Sequence, residues 1–290
     1  MSPEPGAAQG ALAGLAQALA GVRARVKEPR PLGPAAMDVA VEAPDAAAVR
    51  DAAQGVLAGD PIDVCVQPWN GRRKRLLVAD MDSTIINVEC LDELADFAGL
   101  KLQVAAITER AMRGELVFET ALRERVALLR GLPATALQRT FEERVRLNPG
   151  ARTLVRTMAA GGGRCVLVSG GFSFFTRRVA QAAGFHAERA NVLIERDGML
   201  AGVVAEPILG REAKLQTLLQ EAQALGLPLS ETLAVGDGAN DLAMIEAAGL
   251  GVAYRAKPIV AARAAARVDH SDLTALLYFQ GYRETEFVTD

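Results

Sequence analysis

The fold is decided by residues 75–89, which read RLLVADMDSTIINVE. The apolar part of this stretch, LLVAD, has the length and composition of a buried β-strand. The strand ends at Asp80, and a second carboxylate, Asp82, follows after one residue. Two neighbouring negative charges at the end of a buried strand reduce stability unless a cation or a reaction uses them. The stretch therefore predicts a functional site at this strand end.

The chain on either side of the strand shows two different patterns. Residues 87–147 carry apolar residues at helical spacing in four segments, and none of these segments alternates as a strand does. After residue 147, short apolar segments alternate with amphipathic ones, as in RCVLVSGG, TLAVGDG and LGVAY. This alternation is typical of a parallel sheet with helices on both faces. Active sites of such sheets lie at the carboxyl ends of the strands.

Two further strands are predicted to end in polar groups. CVLVS ends at Ser169, and TLAVG is followed by Asp237, Asn240 and Asp241. A lone Asp at a strand end is usually a turn residue or a helix cap. Carboxylates at several neighbouring strand ends instead favour a bound cation, and oxygen ligands suit Mg²⁺. The sequence therefore predicts a magnesium site where these strand ends meet.

The composition excludes several classes of protein. Half of the 290 residues are hydrophobic, and the formal net charge is −3, so no basic excess indicates a nucleic-acid partner. No apolar run approaches the roughly 18 residues that cross a bilayer. The three cysteines are widely spaced, and the N-terminus lacks the pattern of a secretory signal, so we expect a cytoplasmic protein. With two histidines in the chain, a Ser-His-Asp triad or a histidine-rich zinc site is not favoured.

Four short motifs, taken in order, resemble those of the haloacid dehalogenase (HAD) superfamily. They are DMDST at 80–84, SGG at 169–171, Lys214 and GDGAND at 236–241. Within the superfamily, DMDSTIINVECLDELADFAG, LRERV, VSGGF and VGDGAND are similar to the phosphoserine phosphatase family, and this similarity runs from about Arg75 to the C-terminus. The resemblance implies an α/β fold: a HAD-like Rossmannoid parallel sheet with helices on both faces, and a helical-bundle cap inserted after the first core strand. A small N-terminal α+β module precedes it.

The expected domains are the module at 1–72, the core at 73–86 and 148–290, and the cap at 87–147. The module is similar in pattern to part of an ACT-like regulatory domain, with strands expected at MDVAVEA and PIDVCVQP around a helix. Amino-acid sensing, packing and dimerisation all remain open for it. A homodimer through this module is one expectation.

The resemblance also implies catalytic roles. Asp80 is expected to be the nucleophile that forms an aspartyl-phosphate, and Asp82 the general acid and base. Mg²⁺ is expected to be held by Asp80, the backbone carbonyl of Asp82 and Asp237. Lys214 is expected to neutralise the nucleophile and the phosphate.

Further residues are expected to hold the phosphate. Ser169, the backbone near Gly170 and Asn240 are the expected phosphate contacts. Asp241 is expected to orient Lys214 or a metal-bound water. Taken alone, Lys214 would be predicted to be an ordinary solvated helix residue. Its place between the second and fourth motifs instead favours a functional role.

Specificity is expected to come from the helical insert. The family pattern implies that Glu89 receives the substrate ammonium and Arg125 its carboxylate, while Met112 and Phe118 shield the reacting centre. Each residue has a structural alternative: Glu89 as an N-terminal helix residue, Arg125 as a partner of Glu124 or of a carboxylate on a neighbouring turn, and the other two as core.

The expected activity is Mg²⁺-dependent hydrolysis of O-phospho-L-serine to L-serine and phosphate, the last step of serine biosynthesis. Two alternatives stay open. One is a related phosphatase or phosphotransferase that passes the phosphoryl group to an alcohol such as homoserine. The other is a non-catalytic effector-binding protein.

Overall fold

The computed structural model describes residues 1–112, 115–210 and 212–289, and for Met112 it describes the backbone alone. Within these ranges the strands are β1 (Arg25–Val26), β2 (Arg30–Gly33), β3 (Ala36–Asp38), β4 (Val41–Glu42), β5 (Leu76–Asp80), β6 (Arg164–Phe172), β7 (Ala187–Asn191), β8 (Leu193–Arg196), β9 (Met199–Val204), β10 (Thr232–Gly236), β11 (Leu250–Tyr254) and β12 (Ala266–Val268). The helices are α1 (Ala7–Gly10), α2 (Leu12–Gly21), α3 (Ala46–Val56), α4 (Cys90–Phe97), α5 (Lys101–Met112), α6 (Phe118–Leu128), α7 (Thr135–Arg144), α8 (Ala151–Ala160), α9 (Ser173–Ala183), α10 (Glu212–Ala224), α11 (Leu242–Ala247), α12 (Pro258–Ala261) and α13 (Ala275–Phe279).

A parallel sheet of six described strands forms the centre of the fold, in the order β12-β11-β10-β5-β6-β7. Strand β5 lies between β10 and β6, and all five of its residues are buried. Leu77 packs in one apolar cluster with α8 and α9, whereas Leu76 packs in another with α10 and α11. This alternation explains why residues 76–79 are all apolar, since both faces of the strand are covered. The expected α/β fold is confirmed.

Helices α4 to α7 occupy the chain between β5 and α8. The segments that lead into and out of them run side by side, with an antiparallel bridge between Ile86 and Leu147. Asn148 reinforces this crossing, because its side-chain Nδ2 donates to the carbonyls of Thr84 (2.8 Å) and Ile86 (3.0 Å). The four helices therefore leave the sheet and return to it at one place, beside the loop that follows β5.

The N-terminal residues form two short antiparallel pairs, β1 with β4 and β2 with β3, beside α2 and α3. The strand expected at PIDVCVQP is wrong: residues 62–68 join no sheet. The buried carboxylate of Asp63 accepts hydrogen bonds from the backbone N–H groups of Asp269, His270 and Ser271, at 2.8, 3.2 and 2.8 Å. These bonds hold the segment against the loop after β12, and β3 pairs with β2 instead.

Across the described ranges, the helices are too short or too polar to cross a lipid bilayer.

Candidate active site

Asp80, Lys214 and Asp241 form a buried charged cluster at the carboxyl end of β5. Lys214 comes from α10, and its Nζ lies 2.6 Å from Asp80 Oδ1 and 2.5 Å from Asp241 Oδ1. Burial alone would lower the pKa of Lys214, but the carboxylates of Asp241 and Asp80 outweigh it and raise that pKa. Burial and the charge of Asp241 raise the pKa of Asp80. The lysine therefore holds its proton between two acids that repel each other.

Asp82 has different surroundings from Asp80, although one residue separates them. Its Oδ2 accepts a hydrogen bond from Ser169 Oγ (2.9 Å), and its Oδ1 accepts one from the backbone N–H of Cys90 (2.9 Å). Loss of solvation raises the pKa of Asp82, and these hydrogen bonds oppose the rise. The two carboxylates thus differ in partners: Asp80 contacts an ammonium, whereas Asp82 contacts uncharged donors.

The GDGAND loop after β10 brings Asp237 and Asp241 to the same place. Gly238 N–H donates to Asp241 Oδ2 at 3.0 Å. A Cβ on Gly236 would lie 2.4 Å from Asp241 Cγ, and one on Gly238 would lie 2.3 Å from Asn240 Oδ1. Gly236 therefore cannot carry a side chain unless Asp241 moves, and a side chain at position 238 would displace the amide of Asn240.

A cation fits the group formed by Asp80, Asp237 and Asp241. One carboxylate oxygen from each lies within 4.8 Å of the others. Loss of solvation and the charge of Asp241 raise the pKa of Asp237, so the acids destabilise one another without a counter-ion. Oxygen-only donors of this kind suit Mg²⁺ more than zinc or copper. The donor set therefore fits the expected metal.

Glu89 lies at the rim of the site and is held by Ser83. Ser83 Oγ donates to Glu89 Oε1 at 2.7 Å. As a whole residue Glu89 is exposed, but neighbouring groups reduce the solvation of its carboxylate. This loss of solvation and the nearby charge of Asp82 raise the pKa of Glu89 to about 7, and the Ser83 hydrogen bond opposes the rise. The carboxylate thus has one side-chain donor among the described residues and is available to a cationic group.

Arg125 on α6 is half-buried, and its Nε donates to the carbonyl of Ala121 at 3.2 Å. Burial lowers its pKa, and the charges of Asp92 and Glu89 oppose this. The alternative pairing with Glu124 does not form, because Glu124 pairs with Arg110 at 3.1 Å. Within the described part of the chain, Arg125 makes no ion pair.

The shielding residues can be placed only in part. Phe118, at the start of α6, lies over the backbone of Gly170: a Cβ added there would be 3.2 Å from Phe118 Cζ. Met112 was expected beside it, but its side chain lies outside the described residues.

Strand β6 continues to Phe172, so the expectation that it ends at Ser169 is wrong; its pairing with β7 is interrupted between Val168 and Phe172. Two positioning residues were not predicted. Buried Asn191 donates from Nδ2 to the carbonyl of Gly170 (2.9 Å), and Ser83 holds Glu89. For Ser83 the motif offered a signal, while a single Asn in ERANVLIE offered none.

Comparison with known proteins gives the family. The model of the haloacid dehalogenase-like hydrolases matches residues 77–246. A phosphoserine phosphatase from Polaromonas sp. is 47% identical over 208 residues, which cover 70% of this chain and 88% of that relative.

Two solved structures also match. A phospho-aspartyl intermediate analogue of phosphoserine phosphatase matches with a TM-score of 0.66 and 38% identity, over 71% of this chain and 99% of its own. A probable phosphoserine phosphatase from Vibrio cholerae matches with a TM-score of 0.78 and 31% identity, over 96% of this chain and 84% of its own. The resemblance found in the motifs is confirmed, and the chain belongs to the haloacid dehalogenase-like hydrolase family.

Proposed function

We propose that this chain is a phosphoserine phosphatase that hydrolyses O-phospho-L-serine to L-serine and phosphate. The observation that carries the proposal is the difference between Asp80 and Asp82. Asp80 contacts a protonated lysine, whereas Asp82 contacts a hydroxyl and a backbone N–H. Two carboxylates held in different environments can take different roles in one reaction. The names of the similar proteins support phosphoserine as the substrate.

In the first step, a carboxylate oxygen of Asp80 attacks phosphorus, and the bond between phosphorus and the serine oxygen breaks. Asp82 donates its proton to the departing oxygen, which leaves as the serine hydroxyl. The raised pKa of Asp82 favours the protonated form that this step requires, whereas the charge of Lys214 opposes the rise in the pKa of Asp80 and favours the ionised nucleophile. Lys214 lies against both Asp80 and Asp241 and offsets the negative charge that builds up around the nucleophile.

In the second step, water attacks the phosphorus of the aspartyl-phosphate, and Asp82, now ionised, takes the proton from that water. The bond between phosphorus and the Asp80 oxygen breaks, which releases phosphate and restores the carboxylate. Asp82 can serve as acid and then as base because departure of serine leaves it deprotonated. Ser169 and Asn240 are the proposed side-chain contacts of the phosphoryl oxygens, with the backbone near Gly170.

Mg²⁺ is the proposed cofactor, held by Asp80, the backbone carbonyl of Asp82 and Asp237, with Asp241 orienting Lys214. When bound, the ion supplies positive charge that lowers repulsion between the phosphate and the carboxylates. The cluster of Asp80, Asp237 and Asp241 oxygens supports this assignment.

Specificity is proposed to come from a cap at residues 87–147, with the core at 73–86 and 148–290 and a module at 1–72. Glu89 is proposed to bind the ammonium of phosphoserine and Arg125 its carboxylate. Their lack of ion pairs within the described residues supports this, because each is free to meet a charged group of the substrate. Phe118 over Gly170 is proposed to exclude water from the reacting phosphate. Met112 keeps the same proposed role.

A cytoplasmic location and a homodimer through the N-terminal module stay predictions. The three cysteines are free in the structure, which supports a reducing compartment.

The proposed function is tested by phosphate release from O-phospho-L-serine with Mg²⁺ and with EDTA. We expect release with Mg²⁺, strong loss with EDTA, and no need for homoserine. Negligible release until homoserine is added would instead identify a phosphotransferase. Asp80→Asn should abolish turnover, and its circular dichroism spectrum should match that of the parent chain. Turnover retained in this variant would remove Asp80 as the nucleophile.

A further inference from the structure

A cavity of about 380 Å³ lies between the N-terminal module and α13, separate from the acidic site. Apolar side chains form most of its wall, among them Leu19, Val49, Val66, Trp69 and Phe279. Cavities that bind small molecules usually measure about 300–1,000 Å³ and combine such walls with a few polar groups. The size and lining therefore fit a small, largely apolar ligand.

One cation on the cavity wall has no partner among the described residues. Arg50, on α3, makes no hydrogen bond or ion pair with any of them, and its Nε is buried without an acceptor. A guanidinium in apolar surroundings is unfavourable unless an anion meets it. Arg50, which is half-buried, thus offers an anion a positive charge and one unpaired, buried N–H group at the cavity wall.

The acids that border the cavity do not meet that requirement. Asp38 is bound by Arg72 through two contacts, at 2.8 and 2.9 Å, and by Arg30 at 2.9 Å. Asp63 is occupied by three backbone N–H groups of the loop after β12. Because both carboxylates are already paired, the described wall of the cavity offers a free cation but no free anion.

The segment at residues 62–68, which joins no sheet, supplies one wall of the cavity. Residues 64–68 border it, and the N–H groups of residues 64–67 and the C=O groups of residues 64–68 have no hydrogen-bond partner in the described part of the chain. Backbone groups in such a position are normally paired with protein, water or a ligand. They add hydrogen-bonding capacity next to Arg50.

We propose that this cavity binds a small monocarboxylate with a branched apolar body, with its carboxylate on Arg50 and its body against Leu19, Val49 and Trp69. An amino acid fits less well, since its ammonium group would meet only the neutral backbone carbonyls of residues 64–68 and no free carboxylate on the described wall. The site is independent of the proposed phosphatase reaction, because none of its residues belongs to the acidic site.

Trp69 gives a direct test, because it is the one tryptophan in the sequence and it lines the cavity. The full chain is titrated with 4-methylpentanoate while its tryptophan fluorescence is followed. We expect a saturable change that is lost, or weakened at least about tenfold, in Arg50→Gln, since a charge-assisted contact is removed. Arg25→Gln, an exposed arginine of the same module, should bind as the parent chain does.

Three further titrations make the test specific for a carboxylate inside the cavity. The alcohol 4-methylpentan-1-ol should bind much more weakly than the acid, and L-leucine should as well. Ala53→Leu, which fills the cavity from α3, should also weaken binding of the acid. This second variant keeps the test valid if Arg50→Gln does not fold. The proposal is overturned by no fluorescence change with the acid, by equal responses to acid and alcohol, by unchanged binding in Arg50→Gln, or by tighter binding of L-leucine.

Discussion

Ser83 Oγ donates a hydrogen bond to Glu89 Oε1 across 2.7 Å, and Ser83 does so from a left-handed backbone conformation with φ of 56°. Non-glycine residues rarely adopt this conformation unless the surrounding structure requires it. The bond links the loop that carries Asp80 and Asp82 to the first residue proposed to recognise the substrate. We therefore predict that Ser83 is a positioning residue, which acts through Glu89.

Replacing Ser83 by glycine tests this role, because glycine keeps the backbone conformation while it removes the hydroxyl. We expect the KM for phosphoserine to rise about five- to tenfold, which is the loss of roughly one hydrogen bond. The kcat should change little. Steady-state assays with p-nitrophenyl phosphate, which lacks an ammonium group, provide the control. An equal rise in KM for both esters would show that Ser83 does not act through ammonium recognition by Glu89.

The pKa of about 7 at Glu89 predicts a pH dependence of substrate binding. Below that pH the carboxylate gains a proton and loses its attraction for the ammonium, so the KM for phosphoserine should rise as the pH falls from 8 to 6. The KM for p-nitrophenyl phosphate, which has no ammonium group, should lack this Glu89-dependent rise. In Glu89→Gln the difference between the two profiles should disappear. A difference that persists in this variant would place the titrating group elsewhere.

Arg125 is predicted to discriminate between substrates. Arg125→Ala should raise the KM for phosphoserine by about 10- to 100-fold, because a charge-assisted contact with the substrate carboxylate is lost. Arg123→Ala is the matched control, two residues earlier on α6, where an exposed arginine pairs with Glu206. Exposed pairs of this kind contribute little, so this variant should behave as the parent chain. If Arg125→Ala impairs p-nitrophenyl phosphate to the same degree, Arg125 has a structural role.

Lys214→Met should show how far the buried cation stabilises the fold. Without added metal, we expect the free energy of unfolding to fall by about 3 kcal/mol near pH 7, since Asp80 and Asp241 lose the charge between them. Urea unfolding in EDTA measures this. Lys101→Met, on an exposed helix position, is the control.

The deficit of Lys214→Met should depend on pH with a defined sign. Loss of the lysine raises the already high pKa of Asp80 in the folded state further above its unfolded value. At a given pH the folded variant then binds more protons than the folded parent chain, so the deficit is smallest below the folded pKa of Asp80 in the parent chain and grows as the pH rises above it. Mg²⁺ should restore part of the stability, because it binds the folded state selectively. A deficit that does not grow with pH anywhere in the range where the parent chain is folded would contradict this coupling between Lys214 and Asp80.

The sheet and the acidic site were predictable because each depends on local signals. Apolar strands such as LLVAD must be covered on both faces, and parallel strands bring their carboxyl ends to one edge. The structure accordingly brings Asp80, Asp237 and Asp241 together, with Lys214 between two of them. The glycines of GDGAND were visible in the sequence. Why they are glycines became clear only from the structure, which places Asp241 and Asn240 against Gly236 and Gly238.

Features that depend on distant contacts were not predictable. PIDVCVQP alternates as a strand does, yet the bonds of Asp63 to a loop about 200 residues later draw it away from its expected neighbour. Asn191, on β7, holds the backbone of Gly170 near the end of β6, and no local pattern marks it. In both cases one buried polar side chain satisfied backbone groups far along the chain, and such pairings overrode the local pattern.

The crossing at Ile86 and Leu147 has a consequence for how such enzymes diverge. A segment whose two ends lie side by side can be lengthened, shortened or exchanged without moving the strands around it. The residues proposed to break and form bonds to phosphorus lie on the sheet side of this crossing, and Arg125, proposed to select the substrate, lies beyond it. On this proposal, mutations in the inserted segment change the preferred substrate and leave the reaction intact, because the two properties are encoded on opposite sides of one junction.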